Sequence, residues 1–502
     1  MSEPIETSGF VERVIATATH EPLAPAIDWL DAPADLRARA SYGELLALAE
    51  QYRSALLTLE MQSGEILLVA LPAGPDFVAA LCAAASLGIV FAPLGTHATD
   101  HERRLIVEDL QPHGVVTRAE TAAPLLAAGC RPRFVLLADS TSPRVAANPA
   151  TRTIGLDDFG GRRRPLEPPA GNPVVTCHYT YKGLGYPVGV LHRYRDYSWA
   201  TAAFVRCFGR PEGASNLVGL PAHSIYGLTA LLAPLFAAGR LVILSSMFGV
   251  DVTQILAAHR IQFACVVPLV LARMAAARPD AAVTLHPDLR LVSGGSYMSA
   301  ELAARVRATL GVESYQGYGL TETLPVACNS PQKNRVGSIG TAMLDELEVA
   351  IIDSDGRQVP AESAGRIAFR GPTMTTGFLR RPELLGQFTR GGWFDTGDLG
   401  FKDRDGFLHY LGRSYALTKI ASQMVDLREL ELLLERHPGV VRARVTSHLR
   451  PHVGETLRAS VIADADKAPS DLDLRRWCLA TLSPYKTPRE FRILTRDART
   501  LP

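Results

Sequence analysis

Short apolar, strand-like runs alternate with helical segments along most of this chain, and that alternation admits few folds. Helical periodicity over Tyr42 to Thr58 is followed by Gly64, the run Ile66 to Leu71 (ILLVAL), a turn at Pro72 and Gly74, and a further helix and strand. Strand-like runs recur from Gly114 (GVV), Phe134 (FVLL), Leu241 (LVIL), Phe263 (FACVVP) and Leu289 (LRLVSGG). This βαβ rhythm predicts layered α/β subdomains. Between Glu346 and Leu411 the pattern changes to short alternating strands with Gly and Asp turns, from Glu348 (EVAII), Gly365 (GRIAFR) and Phe407 (FLHYL), which predicts a small β subdomain. A smaller α+β piece follows. The expected division is 1–411 as a large N-terminal domain, 412–416 as a hinge and 417–502 as a mobile C-terminal domain.

The 502 residues, 47% of them hydrophobic, are enough for two to four compact units. A formal net charge of +1 argues against a nucleic-acid binder held by a global positive field. Only six basic residues are lysines: Lys182, Lys333, Lys402, Lys419, Lys467 and Lys486. The seven cysteines are scattered with no CxxC pair, and they are expected to be reduced thiols of a cytoplasmic protein. The N-terminal MSEPIETSGF lacks the basic and apolar regions of a secretion signal. The uncharged run Phe77 to Gly95 reads as a buried helix entering a strand, so no membrane span is expected. The arginine-rich patch Gly160 to Pro169 reads as a solvated linker.

The most informative stretch is Tyr315 to Thr323 (YQGYGLTET). Its two glycines flanking an aromatic allow a base to lie against ring and backbone, and Thr321 and Glu322 bring a hydroxyl and a carboxylate beside it. Order and spacing resemble the adenylate-binding motif of the adenylate-forming superfamily, the acyl-CoA ligases and their relatives. Further segments fall in that family's order: Leu220 to Leu228 (LPAHSIYGL), Ser293 to Ser296 (SGGS), Gly392 to Leu399 (GWFDTGDL), and Gly412-Arg413 with Lys419.

The resemblance implies a nucleotide site of Thr180, Gly295, Ser296, Gly317, Tyr318, Gly319, Thr321, Asp398 and Arg413. Asp398 would accept hydrogen bonds from the ribose hydroxyls, Thr321 would meet the AMP phosphate, and Glu322 would sit where the family holds Mg²⁺. It implies an acyl pocket of His223, Ile225, Tyr226, Val267, Gly294, Tyr297, Gly319 and Leu324, mostly apolar and without an acidic amine anchor, which favours a hydrophobic or aromatic carboxylic acid. His223, Thr321 and Lys419 would act in catalysis. Tyr415, Lys419, Ala421 and Ser422 would form the hinge and the coenzyme A side, with Ala421 and Ser422 at the family's Gly-Gly position. A structural histidine and a surface salt bridge are the plainer readings of His223 and Lys419.

Two departures touch the ATP-using half. The family grips phosphates with a loop of the form YTSGTTGxPKG, whereas Tyr179 to Gly189 reads YTYKGLGYPVG. Tyr181, Gly183 and Leu184 replace hydroxyl donors, Val188 replaces the lysine, and Lys182 stands where the family has glycine. The tail from Leu482 (LSPYKTPREFR) resembles the run before the family's catalytic lysine, but the sequence stops at Pro502, short of it. Losing such an electrostatic contact costs on the order of 10² to 10³ in rate. The expected function is therefore acyl-CoA formation weighted to its thioester half, acyl-AMP plus coenzyme A giving acyl-CoA and AMP. ATP and Mg²⁺ are needed only if adenylation is retained, and a separate adenylating enzyme is needed if it is not. A complete ATP-dependent acyl-CoA or acyl-AMP ligase is the alternative, followed by a non-catalytic adenylate-binding pseudoenzyme. A dinucleotide-binding reading of the 183–189 loop fails on spacing and on Pro187, and no P-loop sequence GxxxxGK[ST] is present.

Overall fold

The computed structural model describes residues 8–32, 35–96, 98–139, 151–161, 163–209, 213–247, 249–277, 283–413, 417–420, 423–450 and 454–496. Two large sheets form the N-terminal body. The first has nine strands in the spatial order Thr341–Ala342, Leu324–Cys328, Ser314–Leu320, Arg290–Ser293, Phe263–Val266, Ser215–Val218, Arg240–Leu244, Pro25–Ala32 and Asp35–Ser41. The second has eight, centred on the parallel pair Ile66–Ala70 and Val90–Pro93 and carrying the antiparallel hairpin Val174–Tyr181 and Pro187–Arg193.

Between them lie helices that are apolar all round. In Pro75–Ser86 every residue but Asp76 is buried, and in Ile225–Phe236 every residue but Tyr226. A helix buried on every face belongs in the middle of a layered stack, and one core joins these helices to strands of both sheets. The uncharged run from Phe77 is thus a buried helix leading to the strand Val90–Pro93, as its pattern predicts. No helix among the described residues is long and apolar enough to cross a membrane. The helix Tyr42–Thr58 starts on Ser41, whose side chain and Glu44 form a reciprocal capping box.

A five-stranded sheet follows: Glu348–Ile352, Gly365–Arg370, Trp393–Lys402 and Thr389–Arg390, with Leu408–Arg413 paired on Trp393–Lys402. The sequence pattern finds three of these strands and misses two: Thr389–Arg390, which is only two residues long, and Trp393–Lys402, whose aromatic, Asp and Gly content hides its alternation. The C-terminal part contains the hairpin Leu417–Ile420 with Gln423–Asp426 and a three-stranded sheet, Val440–Arg450, Gly454–Asp464 and Glu490–Arg496, backed by the helices Leu427–Glu435 and Asp471–Leu479. The large α/β domain with a smaller α+β domain is the architecture expected. Tyr415, Ala421 and Ser422 lie outside the described residues.

One expectation is corrected. Cys207, ending the helix Tyr194–Cys207, and Cys328, ending the strand Leu324–Cys328, are joined in a disulfide with their Cα atoms 7.7 Å apart. Partners separated by 121 residues leave no local pattern to read. The other five cysteines are buried thiols, and burial raises Cys82, Cys130 and Cys478 to about 12.

Candidate active site

The parallel strands Phe263–Val266 and Arg290–Ser293 end beside the antiparallel pair Ser314–Leu320 and Leu324–Cys328. Ligands of open α/β sheets gather off such carboxyl ends. There a cavity of about 1030 Å³ opens toward the C-terminal domain. It is lined by Gly295, Ser296, Gly317, Tyr318, Gly319, Asp398 and Arg413 of the expected nucleotide site, by Val267 and Tyr297 of the expected acyl pocket, and by Lys419. His223, Ile225, Tyr226, Gly294 and Leu324 are not among its lining residues, and neither are Thr180 and Thr321.

Asp398, in the strand Trp393–Lys402, is 1% exposed. Its carboxylate accepts from the Tyr318 hydroxyl at 2.6 Å and pairs with Arg413 Nε at 2.7 Å. Burial and the adjacent carboxylate hold the Tyr318 phenol well above its usual range, so it stays a donor. The Tyr318 ring stacks on Phe369, which fixes its face. Gln316, inside the quoted motif but not singled out by it, ties the two halves of this wall together. Its Oε1 accepts from the Met298 N–H at 2.6 Å, and its Nε2 donates to the carbonyls of Ser293, Ser296 and Gly317. Gly295 adopts φ +79°, the left-handed turn that lets the chain fold back after Ser293.

His223 precedes the helix Ile225–Phe236, capped by Ser224. A Cβ on Gly95 would lie 2.8 Å from its ring, so glycine there makes room for the imidazole. Likewise a Cβ on Gly294 would lie 2.7 Å from the Tyr226 ring, whose hydroxyl donates to the Val292 carbonyl at 2.7 Å. Two buried histidines that motif reading passes over brace this region. His178 Nδ1 donates to the His223 carbonyl at 2.9 Å while its Nε2 accepts from Tyr197 at 2.7 Å. His192 Nε2 donates to the Thr321 carbonyl at 2.6 Å. Burial lowers His178 to about 3 and His192 to about 4, so both rings are neutral. Their sequence signal is a histidine inside an otherwise apolar strand.

The two ends of the altered loop are committed to the protein interior, while Gly183, Leu184 and Gly185 are half-buried and Tyr186 is exposed. Val188 is fully buried in a cluster with Val190, Phe378, Phe388 and Phe394. Lys182 Nζ lies 3.2 Å from Glu322 Oε1, and 4.6 and 5.6 Å from the ring centres of Phe388 and Phe394. The Mg²⁺ position implied at Glu322 therefore faces an ammonium. Thr180 is a buried strand residue paired with Val188, away from the cavity wall.

Tyr181 turns to the C-terminal domain. Its hydroxyl donates to Glu429 Oε1 at 2.8 Å and accepts from Lys486 Nζ at 3.0 Å. Lys486 also pairs with Glu429 Oε2 at 3.0 Å and with Glu102 Oε1 at 2.8 Å. Ser483 donates to Glu102 at 2.6 Å, and the Gly185 N–H donates to Asp426 at 2.9 Å. Across the cavity, Lys419 comes close to Asp398, Arg413 and Glu455, and its backbone N–H is held by the Glu455 carboxylate. Burial, with the Arg413 guanidinium next, lowers its ammonium to about 8.

Comparison with known proteins places these features. Sulfoacetate–CoA ligase of Cupriavidus necator is 27% identical over 491 residues, spanning 94% of this chain and 93% of that protein. Indoleacetate–CoA ligase of Aromatoleum aromaticum is 27% identical over 476 residues, 92% of this chain and 90% of that protein. Among solved structures, the amide bond synthetase McbA of Marinactinospora thermotolerans superposes with a TM-score of 0.84 at 24% identity, covering 99% of this chain and 96% of that one. An o-succinylbenzoate-CoA synthetase variant of Bacillus subtilis, bound to a product analogue, gives 0.79 at 23% identity, covering 96% and 95%. At those identities the structural likeness speaks for the fold alone. Residues 15–379 match the model of the AMP-binding enzymes, and with the adenylate motif, Asp398 and Arg413 around one cavity, this chain belongs to that family of adenylate-forming ligases.

Proposed function

We propose that this protein is an acid–thiol ligase that forms an acyl-CoA thioester from an apolar carboxylic acid by way of its acyl-adenylate, and that its principal step is the second one, acyl-AMP plus coenzyme A. The observation that carries this reading is the use of Tyr181 and Lys182 as interior partners, of Glu429 with Lys486 and of Glu322 respectively. With Tyr181 and Lys182 so occupied, neither side chain is offered to a polyphosphate.

In this reading Asp398 receives the ribose, Tyr318 and the Gly295–Ser296 turn flank the adenine, and His223 stands beside the acyl group. The coenzyme A thiol attacks the acyl carbon; a C–S bond forms, the C–O bond to the phosphate breaks, and AMP leaves. Lys419, whose ammonium burial lowers to about 8, takes the thiol proton. AMP is a good leaving group and the thiolate a strong nucleophile, so positioning supplies much of the remaining acceleration. A cytoplasmic site of action suits the coenzyme A requirement.

The complete ATP-dependent ligase is the second reading, favoured by relatives named as CoA ligases across nearly the whole chain. The deciding experiment gives the enzyme either acid, ATP-Mg²⁺ and coenzyme A, or synthetic acyl-adenylate and coenzyme A, for a panel of apolar acids, with acyl-CoA followed by mass spectrometry. Product from the adenylate alone is expected. Comparable product from ATP would return the protein to the two-step ligases, and no product above the enzyme-free control would leave a binding protein.

A further inference from the structure

The family resemblance implies a divalent cation at Glu322, and the residues around that carboxylate do not fit one. Mg²⁺ requires near-octahedral oxygen ligands and keeps several of its waters. Here the Lys182 ammonium stands against the carboxylate at 3.2 Å, and the phenyl rings of Phe388 and Phe394 pack around that ammonium. The side chains of Lys182 and Glu322 are 3% and 2% exposed, which leaves little room for a hydrated ion. The backbone on either side is tied down, the Thr321 carbonyl by His192 and the Glu322 carbonyl by the Thr375 N–H at 2.7 Å, so the segment carrying the carboxylate is anchored. No group of three or more His, Cys, Asp or Glu side chains suited to a metal occurs among the described residues.

We propose that Lys182 is a built-in counter-ion that takes the place of the divalent metal at Glu322, and that it sets the site to accept a monoanionic acyl-adenylate without Mg²⁺ and to disfavour polyanionic nucleotides. The argument is one of charge. A carboxylate carrying a divalent ion presents one net positive charge to incoming phosphate oxygens, while a carboxylate paired with an ammonium presents none. The phosphodiester-like group of an acyl-adenylate has a single negative charge and tolerates a neutral surround. The triphosphate of ATP has several and needs the missing cation. The lysine is also suited to its place: a compact ammonium fits between two rings and one carboxylate, with the rings' negative faces turned to it.

This inference rests on the proposed acyl-adenylate reading, and its test separates the two. Binding is measured by calorimetry with a non-hydrolysable acyl-sulfamoyl adenosine, with AMP and with ATP, each in EDTA and in millimolar MgCl2. For the native protein the acyl-sulfamoyl adenosine should bind equally in both, within about twofold, and more tightly than ATP. In Lys182→Met, which removes the charge and keeps the volume, the same ligand should weaken by about tenfold or more in EDTA, and in Lys182→Ala, which leaves room for an ion, it should recover in MgCl2. In the double variant K182M/E322Q, which removes both charges and so guards against a folding defect in the single one, binding should return without metal. Native binding that tightens tenfold with Mg²⁺, or a Lys182→Met protein that folds and binds like the native one, would overturn the proposal. Should ATP support full turnover while analogue binding stays metal-independent, the two-step ligase reading wins, Lys182 still replaces the metal, and its exclusion of polyanionic nucleotides is overturned. Adenylate-only turnover with metal-dependent binding gives the reverse.

Discussion

Lys486 is the most exacting place to perturb this molecule. Its ammonium is 1% exposed and within 3.0 Å of two carboxylates, Glu102 from the N-terminal domain and Glu429 from its own, with the Tyr181 hydroxyl completing the shell. Replacing it by methionine keeps the volume and leaves two buried acids facing each other. Removing one partner of a buried ion pair costs about 3 to 5 kcal/mol, most of it the penalty on the charge left behind. If that charge is the cause, K486M/E102Q should recover at least about 2 kcal/mol of the loss, a coupling typical of groups in one network. Urea unfolding of the native protein, K486M, E102Q and the double variant, followed by tryptophan fluorescence, gives the four stabilities, and hydrogen exchange across the helix Asp100–Leu110 reports whether the domains have parted. The acid side provides a second check. Burial works to raise Glu102, but Lys486 outweighs it and holds the carboxyl below its usual range. That stabilisation is present above the carboxylate's ordinary pKa and is lost as pH falls through the depressed one, so the K486M penalty should shrink with acid. A coupling under about 0.5 kcal/mol, or a penalty independent of pH, would refute the reasoning.

Because His178 and His192 stay neutral in the fold at about 3 and 4 against an ordinary 6.5, the unfolded chain binds protons that the native chain refuses. Stability should be level above about pH 6.5 and fall by about 1.4 kcal/mol per pH unit for each histidine below it, a slope that urea midpoints measure and that His192→Gln should roughly halve. Lys419→Met should slow acyl transfer from adenylate to coenzyme A by about 10² and remove the rise in rate through about pH 8, leaving the thiol's own ionisation; an unchanged profile would exclude Lys419 as the base. Gly95→Ala places a methyl group 2.8 Å from the His223 ring and should lower kcat/KM for the adenylate by about tenfold, with stability as the control for a general packing defect.

The layered α/β body and the adenylate motif are legible because both are local: a strand–helix rhythm and a run of nine residues show themselves in one window. The acidic partner of Arg413 is legible for the same reason, since Asp398 sits in a recognisable GWFDTGDL string. What escapes is pairing at a distance. The replacement at Lys182 stands out beside the family loop, but its meaning depends on Glu322 and two phenyl rings that only folding brings near. Tyr181 likewise looks like a lost hydroxyl until Glu429 and Lys486 arrive from the other domain. The rarity of lysine is the one sequence signal for this region: of six in the chain, Lys182, Lys419 and Lys486 gather around the cavity and the domain junction.

The alanine-rich helix Pro75–Ser86 works as a spacer between two plates. It touches the strand Asp35–Ser41 of one large sheet and Val90–Pro93 of the other, and its Ala79, Ala80, Ala83, Ala84 and Ala85 are all fully buried. Their methyl groups set a thin gauge for the gap. Thickening the helix by a few methylenes would cost about 1 to 3 kcal/mol at each point of overpacking, and it would also tilt one plate against the other. Gly95 just beyond the strand Val90–Pro93 belongs to one plate and His223 to the other, so a wedge far from any substrate would change the clearance at the imidazole.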